Sequence, residues 1–382
     1  MDDYTPVKRY YTFEITTTQQ CNLGCSYCFE GCGDNPDENY KLNETLLTPE
    51  QIKLTKEKIH HKLKNLGEYG GVKIDFWGGE PTLNKPLIKE FLEEFKGHPV
   101  KYHMYTNGYD LRELRDMLDE RVQIQVSYDG LMPDPLRLTI TGKDSTQRVR
   151  DNILKLLEIP NINLHLKATL VPEYFVHLED IWDDYEDLYY KFKEKGLQLA
   201  YSPTIDYYDD SDQHAYMEMY KSKIVALTKK ELAFSEKNGH TLFSWYGGVK
   251  GSQCAAGQSI TAITVEGDVL ACHGVIYQEN REELHLANIE DSNEEFFSKL
   301  EVFKGNLINH DYTTPDPCIT CPATTCVKCP ALKSQISKKM SLEDRWYDDT
   351  NQPQMCSYFQ YFGKVDRAFQ ELLIERSNNG VY

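Results

Sequence analysis

Four cysteines stand near the start of the chain, Cys21, Cys25, Cys28 and Cys32, and seven near its end. The second group is Cys254, Cys272, Cys318, Cys321, Cys326, Cys329 and Cys356, and the 221 residues from Gly33 to Gln253 contain none. Cysteines that only filled a core would not segregate in this way. In a reducing compartment such groups are metal ligands rather than disulfides. The run Cys21-Asn-Leu-Gly-Cys25-Ser-Tyr-Cys28 places three thiolates within eight residues. Three thiolates can hold three irons of a four-iron, four-sulfur (4Fe–4S) cluster and leave the fourth iron open to a small chelating molecule. The alternative is a closed zinc site, which wants a fourth protein ligand nearby, and Cys32 is the residue at hand.

Three other segments carry residues suited to holding a ligand. Trp77-Gly78-Gly79-Glu80-Pro81 follows a strand-like run. Its glycines allow close backbone approach to a ligand, and Glu80 can accept from an ammonium group. Tyr105-Thr106-Asn107-Gly108 and Ser127-Tyr128-Asp129-Gly130 end the next two strand-like runs. Asn107 and Asp129 serve there either as ligand contacts or as turn residues. His273, beside Cys272, is either a proton acceptor or a surface or cluster-adjacent residue.

The elements that must position these groups alternate in type. Strands are expected at Tyr11–Thr17, Val72–Trp77, Val100–Tyr105, Val122–Ser127, Asn163–Leu170 and Leu197–Ser202. Helices are expected at Pro49–Leu66, Lys85–Phe95, Leu111–Leu118, Thr146–Leu157 and Leu178–Lys195. Six strand–helix repeats predict an α/β fold, a partial (β/α)6 TIM-like barrel of parallel strands, with functional residues at the C-terminal strand ends. A long amphipathic segment, Asp212–Asn238, leads to a hairpin, Ser259–Val265 and Asp268–Cys272, turning at Glu266-Gly267, and then to a loop-rich stretch. That stretch has little core of its own and would need metal to hold it together. The expected domains are 1–235 (barrel), 236–362 (cysteine-rich) and 363–382 (a helical tail).

The bulk numbers exclude several classes. Sixty acidic against 42 basic residues give a formal charge of −18, which opposes nucleic-acid binding through phosphate contacts. No apolar run approaches a membrane span, and residues 1–9 lack the layout of a secretion signal, so a cytoplasmic protein is expected. The acidic runs Asp206–Asp212 and Asp180–Asp187 are either solvated faces or sites for a basic peptide.

Cys-x3-Cys-x2-Cys, with Tyr27 before the last cysteine and Phe29 after it, resembles the signature of radical S-adenosylmethionine (SAM) enzymes. In that family the open iron chelates SAM, and reductive cleavage gives a 5′-deoxyadenosyl radical that abstracts hydrogen from substrate. Gly78, Gly79 and Glu80 resemble the family's GGE motif, which contacts the SAM amino group. Asn107, Ser127 and Asp129 lie in segments similar to those of peptide-maturating members. Ser127 and a following arginine would meet the SAM carboxylate or ribose. Arg137 is the nearest arginine, though Pro133-Asp134-Pro135 departs from the familiar pattern. Leu170 would pack on the adenine.

The C-terminal cysteines, with Gly267-x4-Cys272, resemble a SPASM domain, two inner spacings being one residue shorter. The resemblance implies one or two auxiliary 4Fe–4S clusters. Cys254, Cys272 and Cys329 would bind the first, whose fourth ligand stays open, and Cys318, Cys321, Cys326 and Cys356 the second. It implies a ribosomally made peptide or a protein as substrate, joined by a thioether, carbon–carbon or ether crosslink. Formylglycine formation, as in anaerobic sulfatase-maturating enzymes, and a small-molecule dehydrogenase are the alternatives. Those maturating enzymes carry an aspartate where His273 stands. Expected partners are a flavodoxin or ferredoxin reductant and a separate leader-recognition protein.

Overall fold

The computed structural model describes residues 9–28, 46–112, 114, 117, 118, 120–196, 199–205, 213–243, 255–276 and 281–309. Its first half runs β1 (Tyr10–Thr18), α1 (Pro49–Lys64), β2 (Gly71–Gly78), α2 (Lys85–Glu94), β3 (Val100–Thr106) and β4 (Val122–Ser127). Then follow α3 (Thr146–Leu156), β5 (Asn163–Leu170), α4 (Leu178–Glu194), β6 (Leu199–Ile205) and α5 (Gln213–Asn238). The chain continues through β7 (Ile260–Ile263), β8 (Asp268–Leu270), β9 (His285–Asn288) and α6 (Asn293–Asn309). The fold is α/β, an open, largely parallel sheet with crossover helices, as in a partial TIM-like barrel. None of the described helices is long and apolar enough to cross a membrane.

The chain divides into two units, one built from the residues up to Thr106, Leu111–Ile124 and Cys254–Tyr312, the other from Asn107–Asp110 and Gln125–Gln253. In the first, β1 is rich in the β-branched and aromatic residues that suit a pleated surface. It pairs in parallel with β2 on one edge and with β7 on the other. β2 pairs in parallel with β3, while β7–β8 and β8–β9 are antiparallel. Residues alternate between the faces of each strand. Phe13, Ile74, Phe76 and Tyr102 take the apolar face. There Phe76 stacks on Tyr102 at 5.9 Å, and the Tyr102 hydroxyl donates to the Phe91 carbonyl of α2 at 3.0 Å. α1 opens on a capping box: Thr48 Oγ1 accepts from Gln51 N, and Gln51 Oε1 accepts from Thr48 N.

In the second unit β5 pairs in parallel with β6. α4 buries Ile181, Trp182, Tyr185 and Leu188. Its Trp182 donates to Glu231 of α5 at 3.1 Å, and Glu231 also accepts from the amides of Leu242 and Phe243.

Three sequence expectations need correction. Among the described residues of 111–118 none is α-helical: Leu114 N is bonded to Leu111 O and Met117 N to Leu114 O, an i,i+3 pattern in place of the expected α-helix. Tighter i,i+3 bonding of this kind is common in short connecting segments. β6 begins two residues later than expected and runs on to Ile205. The stretch after Cys272 is not all loop: it contributes β9, paired to β8, and α6, whose Phe296 is fully buried.

Candidate active site

The cysteine segment leaves β1 and is held at once by the turn that ends β2. Gly79 N donates to Thr18 O at 3.0 Å and Glu80 N to Gln20 O at 2.7 Å. From the far side of that turn, Asn84 Nδ2 donates to Thr17 O at 2.9 Å. The glycines are required here. Gly78 has φ of +132°, and a Cβ on it would stand 2.1 Å from Thr18 O. A Cβ on Gly79 would stand 2.4 Å from Gln20 O.

Beyond Gln20 the chain turns twice. Leu23 N approaches Cys21 Sγ at 3.5 Å, and Cys28 N donates to Cys25 O at 3.1 Å. Leu23 is buried and anchors the segment. Cys25 is buried, while Cys21, Cys28 and Tyr27 are half-buried. Phe29 and Cys32 lie outside the described residues, as do Cys254, Cys318, Cys321, Cys326, Cys329 and Cys356.

Glu80 is buried, and its Oε1 accepts from Thr82 N at 3.0 Å, Thr82 Oγ1 at 2.6 Å and Thr106 Oγ1 at 2.7 Å. The carboxylate is thereby fixed at the C-terminal ends of β2 and β3. These residues fit a 4Fe–4S cluster with SAM: soft thiol donors on one turn, two glycines pressed against its stem, and a fixed carboxylate. Among the described residues no three His, Cys, Asp or Glu side chains group as ligands of one metal ion. Thiolates that each hold a separate iron of a cluster need not converge on one point.

Cys272 and His273 follow β8 in the same unit, and Cys272 is half-buried. His273 N donates to Glu14 Oε2 at 2.7 Å, and its Nδ1 lies 2.9 Å from Glu14 Oε1. The His273 ring lies over Trp77, with centroids 3.9 Å apart. Burial opposes ionisation of Glu14, but His273 and Lys73 outweigh it and hold the carboxyl below its usual range.

The remaining candidates belong to the other unit. Asn107 Oδ1 accepts from Tyr109 N at 2.9 Å, the Asx turn expected of its type. Ser127, Asp129, Gly130, Arg137 and Tyr174 line one small pocket, so Arg137 and Ser127 share a lining despite the departure at Pro133-Asp134-Pro135. Asp129 is buried, and its Oδ1 accepts from Thr169 N at 2.9 Å. Leu170 is fully buried at the end of β5 and is not part of that pocket's lining.

Sequence reasoning missed Asp184. It sits in the acidic run Asp180–Asp187 but is buried rather than solvated. It accepts from the Tyr128 hydroxyl at 2.5 Å, from Leu131 N at 3.1 Å and from Arg150 Nε at 2.6 Å. These bonds fix the segment between Ser127 and Arg137. The signal was available: Asp184 shares the stripe of Ile181, Tyr185 and Leu188, at spacings of three and four. Glu14 and Asp75, buried within strands, were also missed.

Residues 15–188 match the family model described as the Radical SAM superfamily. Among curated proteins, a GTP 3′,8-cyclase of Sulfurimonas denitrificans is 28% identical over 204 residues, which are 53% of this chain and 57% of that protein. A GTP 3′,8-cyclase of Haemophilus influenzae is 27% identical over 241 residues, 62% of this chain and 63% of that protein. The chain thus spans between 57% and 63% of the length of these two relatives. Among solved structures, anSMEcpe with bound AdoMet superposes with a TM-score of 0.64 at 17% identity, covering 94% of each chain. Native anSMEcpe with bound AdoMet and Cp18Cys peptide gives 0.64 at 19%, covering 95% of this chain and 99% of that one. At such identities the likeness is one of fold. The cysteine turn, the Gly-Gly-Glu turn and the strand-end segments all fall within the residues 15–188 that match that family model.

Proposed function

We propose that this chain is a radical SAM enzyme that oxidatively modifies a peptide or protein, forming a thioether, carbon–carbon or ether crosslink. The observation that carries the reading is the cysteine turn bonded through Thr18 and Gln20 to the Gly-Gly-Glu turn. Cys21, Cys25 and Cys28 would hold three irons of the cluster and Glu80 would receive SAM; Ser127, Asp129 and Arg137 are assigned to SAM by the family resemblance alone. When bound, the cluster and SAM supply a carbon-centred radical by one-electron cleavage. The protein's part is to orient and to exclude water: Thr82 and Thr106 fix Glu80, and Asp184 fixes the loop that carries Ser127 and Asp129.

Two features favour a peptide over a small molecule. The fold likeness to anSMEcpe, solved with a Cys peptide, extends well past the Radical SAM domain. The seven C-terminal cysteines resemble a SPASM pattern, with two inner spacings one residue shorter, and would suit one or two auxiliary clusters. Crosslinking removes a hydrogen atom and then one more electron, for which a nearby cluster is an acceptor. His273, held by Glu14, is the candidate to take the accompanying proton. The reading includes a flavodoxin or ferredoxin as electron donor, a separate leader-recognition protein and a reducing, cytoplasmic setting.

A nucleotide-cyclising reading is favoured by the relatives named GTP 3′,8-cyclase. Formylglycine formation stands behind it, since His273 replaces the aspartate of those maturating enzymes. The anaerobically reconstituted, reduced protein should convert SAM to 5′-deoxyadenosine, with a mass loss of about 2 Da per crosslink in a Cys- or aromatic-rich peptide encoded beside it. Turnover of GTP instead, with every peptide left unchanged, would reverse the assignment.

A further inference from the structure

Parallel barrel strands are buried on both faces and ordinarily apolar throughout. The first unit breaks this rule on one face. Glu14 pairs opposite Asp75, and Asp75 opposite His103, so the three stand in one row across β1, β2 and β3. Thr16, Trp77 and Tyr105 are the next residues on the same face of those strands. The rings of Trp77 and Tyr105 lie 4.2 Å apart.

Glu14 is occupied by His273. Asp75 is occupied on one side only. Its Oδ2 lies 2.9 Å from Lys73 Nζ and accepts from the Tyr105 hydroxyl at 3.5 Å. Among the described residues its Oδ1 has no hydrogen-bond partner, in a side chain that is 2% exposed. Thr16 Oγ1 is buried and likewise has no partner among the described residues. Buried polar atoms are costly to leave unmet, and two on one face point to a group that arrives from outside.

We propose that Asp75 and Thr16, with the Trp77 and Tyr105 rings beside them, form a substrate subsite for a positively charged hydrogen-bond donor, an ammonium or guanidinium group. The inference rests on the enzyme reading above and adds a substrate class to it. Glu14 already has His273 and Lys73 meets only Asp75 Oδ2, so Asp75 Oδ1 is the acceptor left for an incoming cation. Aromatic faces favour cations as well. An anion would be repelled, and a neutral apolar group would leave Oδ1 unmet. Burial pushes the Asp75 carboxyl up to about 6, with Glu14 adding to the rise and Lys73 and His273 opposing it. A bound cation would favour its ionised form.

The test uses the full, anaerobically reconstituted protein without reductant, so that no turnover occurs. It is titrated with n-butylammonium, with methylguanidinium and with n-butanol as neutral isostere, and probe line broadening is followed by proton NMR. Both cations should bind at least about tenfold more tightly than butanol, and Asp75→Asn should weaken them by about tenfold or more. Thr16→Val should weaken them by about threefold. Circular dichroism and iron content report whether each variant folds. The formal charge of −18 attracts any cation, so the variants carry the positive result. Cations bound no better than butanol overturn the subsite, as does full affinity in a folded Asp75→Asn protein. Should Asp75→Asn not fold, full affinity in Thr16→Val overturns it. Failure to cleave SAM would sink the enzyme reading alone, because this titration needs no turnover.

Discussion

Thr106, the last residue of β3, donates a 2.7 Å hydrogen bond to the Glu80 carboxylate in the turn that ends β2. The ends of β2 and β3 are therefore linked by a charge-assisted bond in a buried setting. Such bonds are worth about 1.5–3 kcal/mol, because the charged partner is left unmet when the donor is removed.

Thr106→Val should raise the Kd for SAM by about tenfold in the reconstituted protein, with the fold intact by circular dichroism. Glu80→Ala should cost more than tenfold. Isothermal titration checks both, and unchanged affinity in Glu80→Ala would remove Glu80 from the site.

Gly79→Ala should part the two turns. Its Cβ would meet two backbone carbonyls, Gln20 O at 2.4 Å and Gln19 O at 2.7 Å, and neither can rotate away as a side chain would. The overpacking cost is about 1–3 kcal/mol. Iron bound on reconstitution should fall with it, as measured by iron and sulfide analysis.

Cys25→Ala should abolish 5′-deoxyadenosine formation, because the buried thiol of the three is lost. Cys326→Ala should keep part of that cleavage while blocking the crosslinked product. Chromatography of the nucleoside and mass spectrometry of the peptide separate the two outcomes.

Glu231 should make the stability of the second unit pH-dependent. Burial raises its carboxyl from 4.5 to about 7, against the Phe243, Leu242 and Trp182 donors that oppose the rise. Between these values the folded form keeps a proton that the unfolded chain has lost, so stability falls as pH rises through that window and is level above it. The loss is on the order of 3 kcal/mol. Glu231→Gln should flatten the wild-type fall in thermal midpoint between pH 5 and pH 7.5, and an unchanged slope would place the titration elsewhere.

The strands and crossover helices were legible because their patterns are local. Tyr10–Thr18 is dense in β-branched and aromatic residues, and Thr48-Pro49 announces α1. The cysteine spacing and Gly78-Gly79-Glu80 were legible because their chemistry is written in adjacent residues. What stayed hidden depends on distant pairing. Nothing local tells that 260–263 will lie beside 12–15, and that pairing is what sets β8, and with it His273, against Glu14. Asp75 sits in a strand whose inward face is defined only once β1 and β3 flank it. Residues 111–118 misled because their composition suits an α-helix, while the described ones bond in the tighter i,i+3 pattern of a connector.

β1 is hydrogen-bonded along both edges, by β2 and by β7, and its interior is almost wholly buried. The cysteine turn therefore hangs from an element that cannot peel away at an edge. Opening that turn breaks a handful of contacts, whereas displacing β1 breaks two ladders at once, so the two events are widely separated in free energy. Oxidative loss of iron would then be a repairable injury: the emptied turn remains attached to a standing scaffold and can be reloaded without the chain having to fold again.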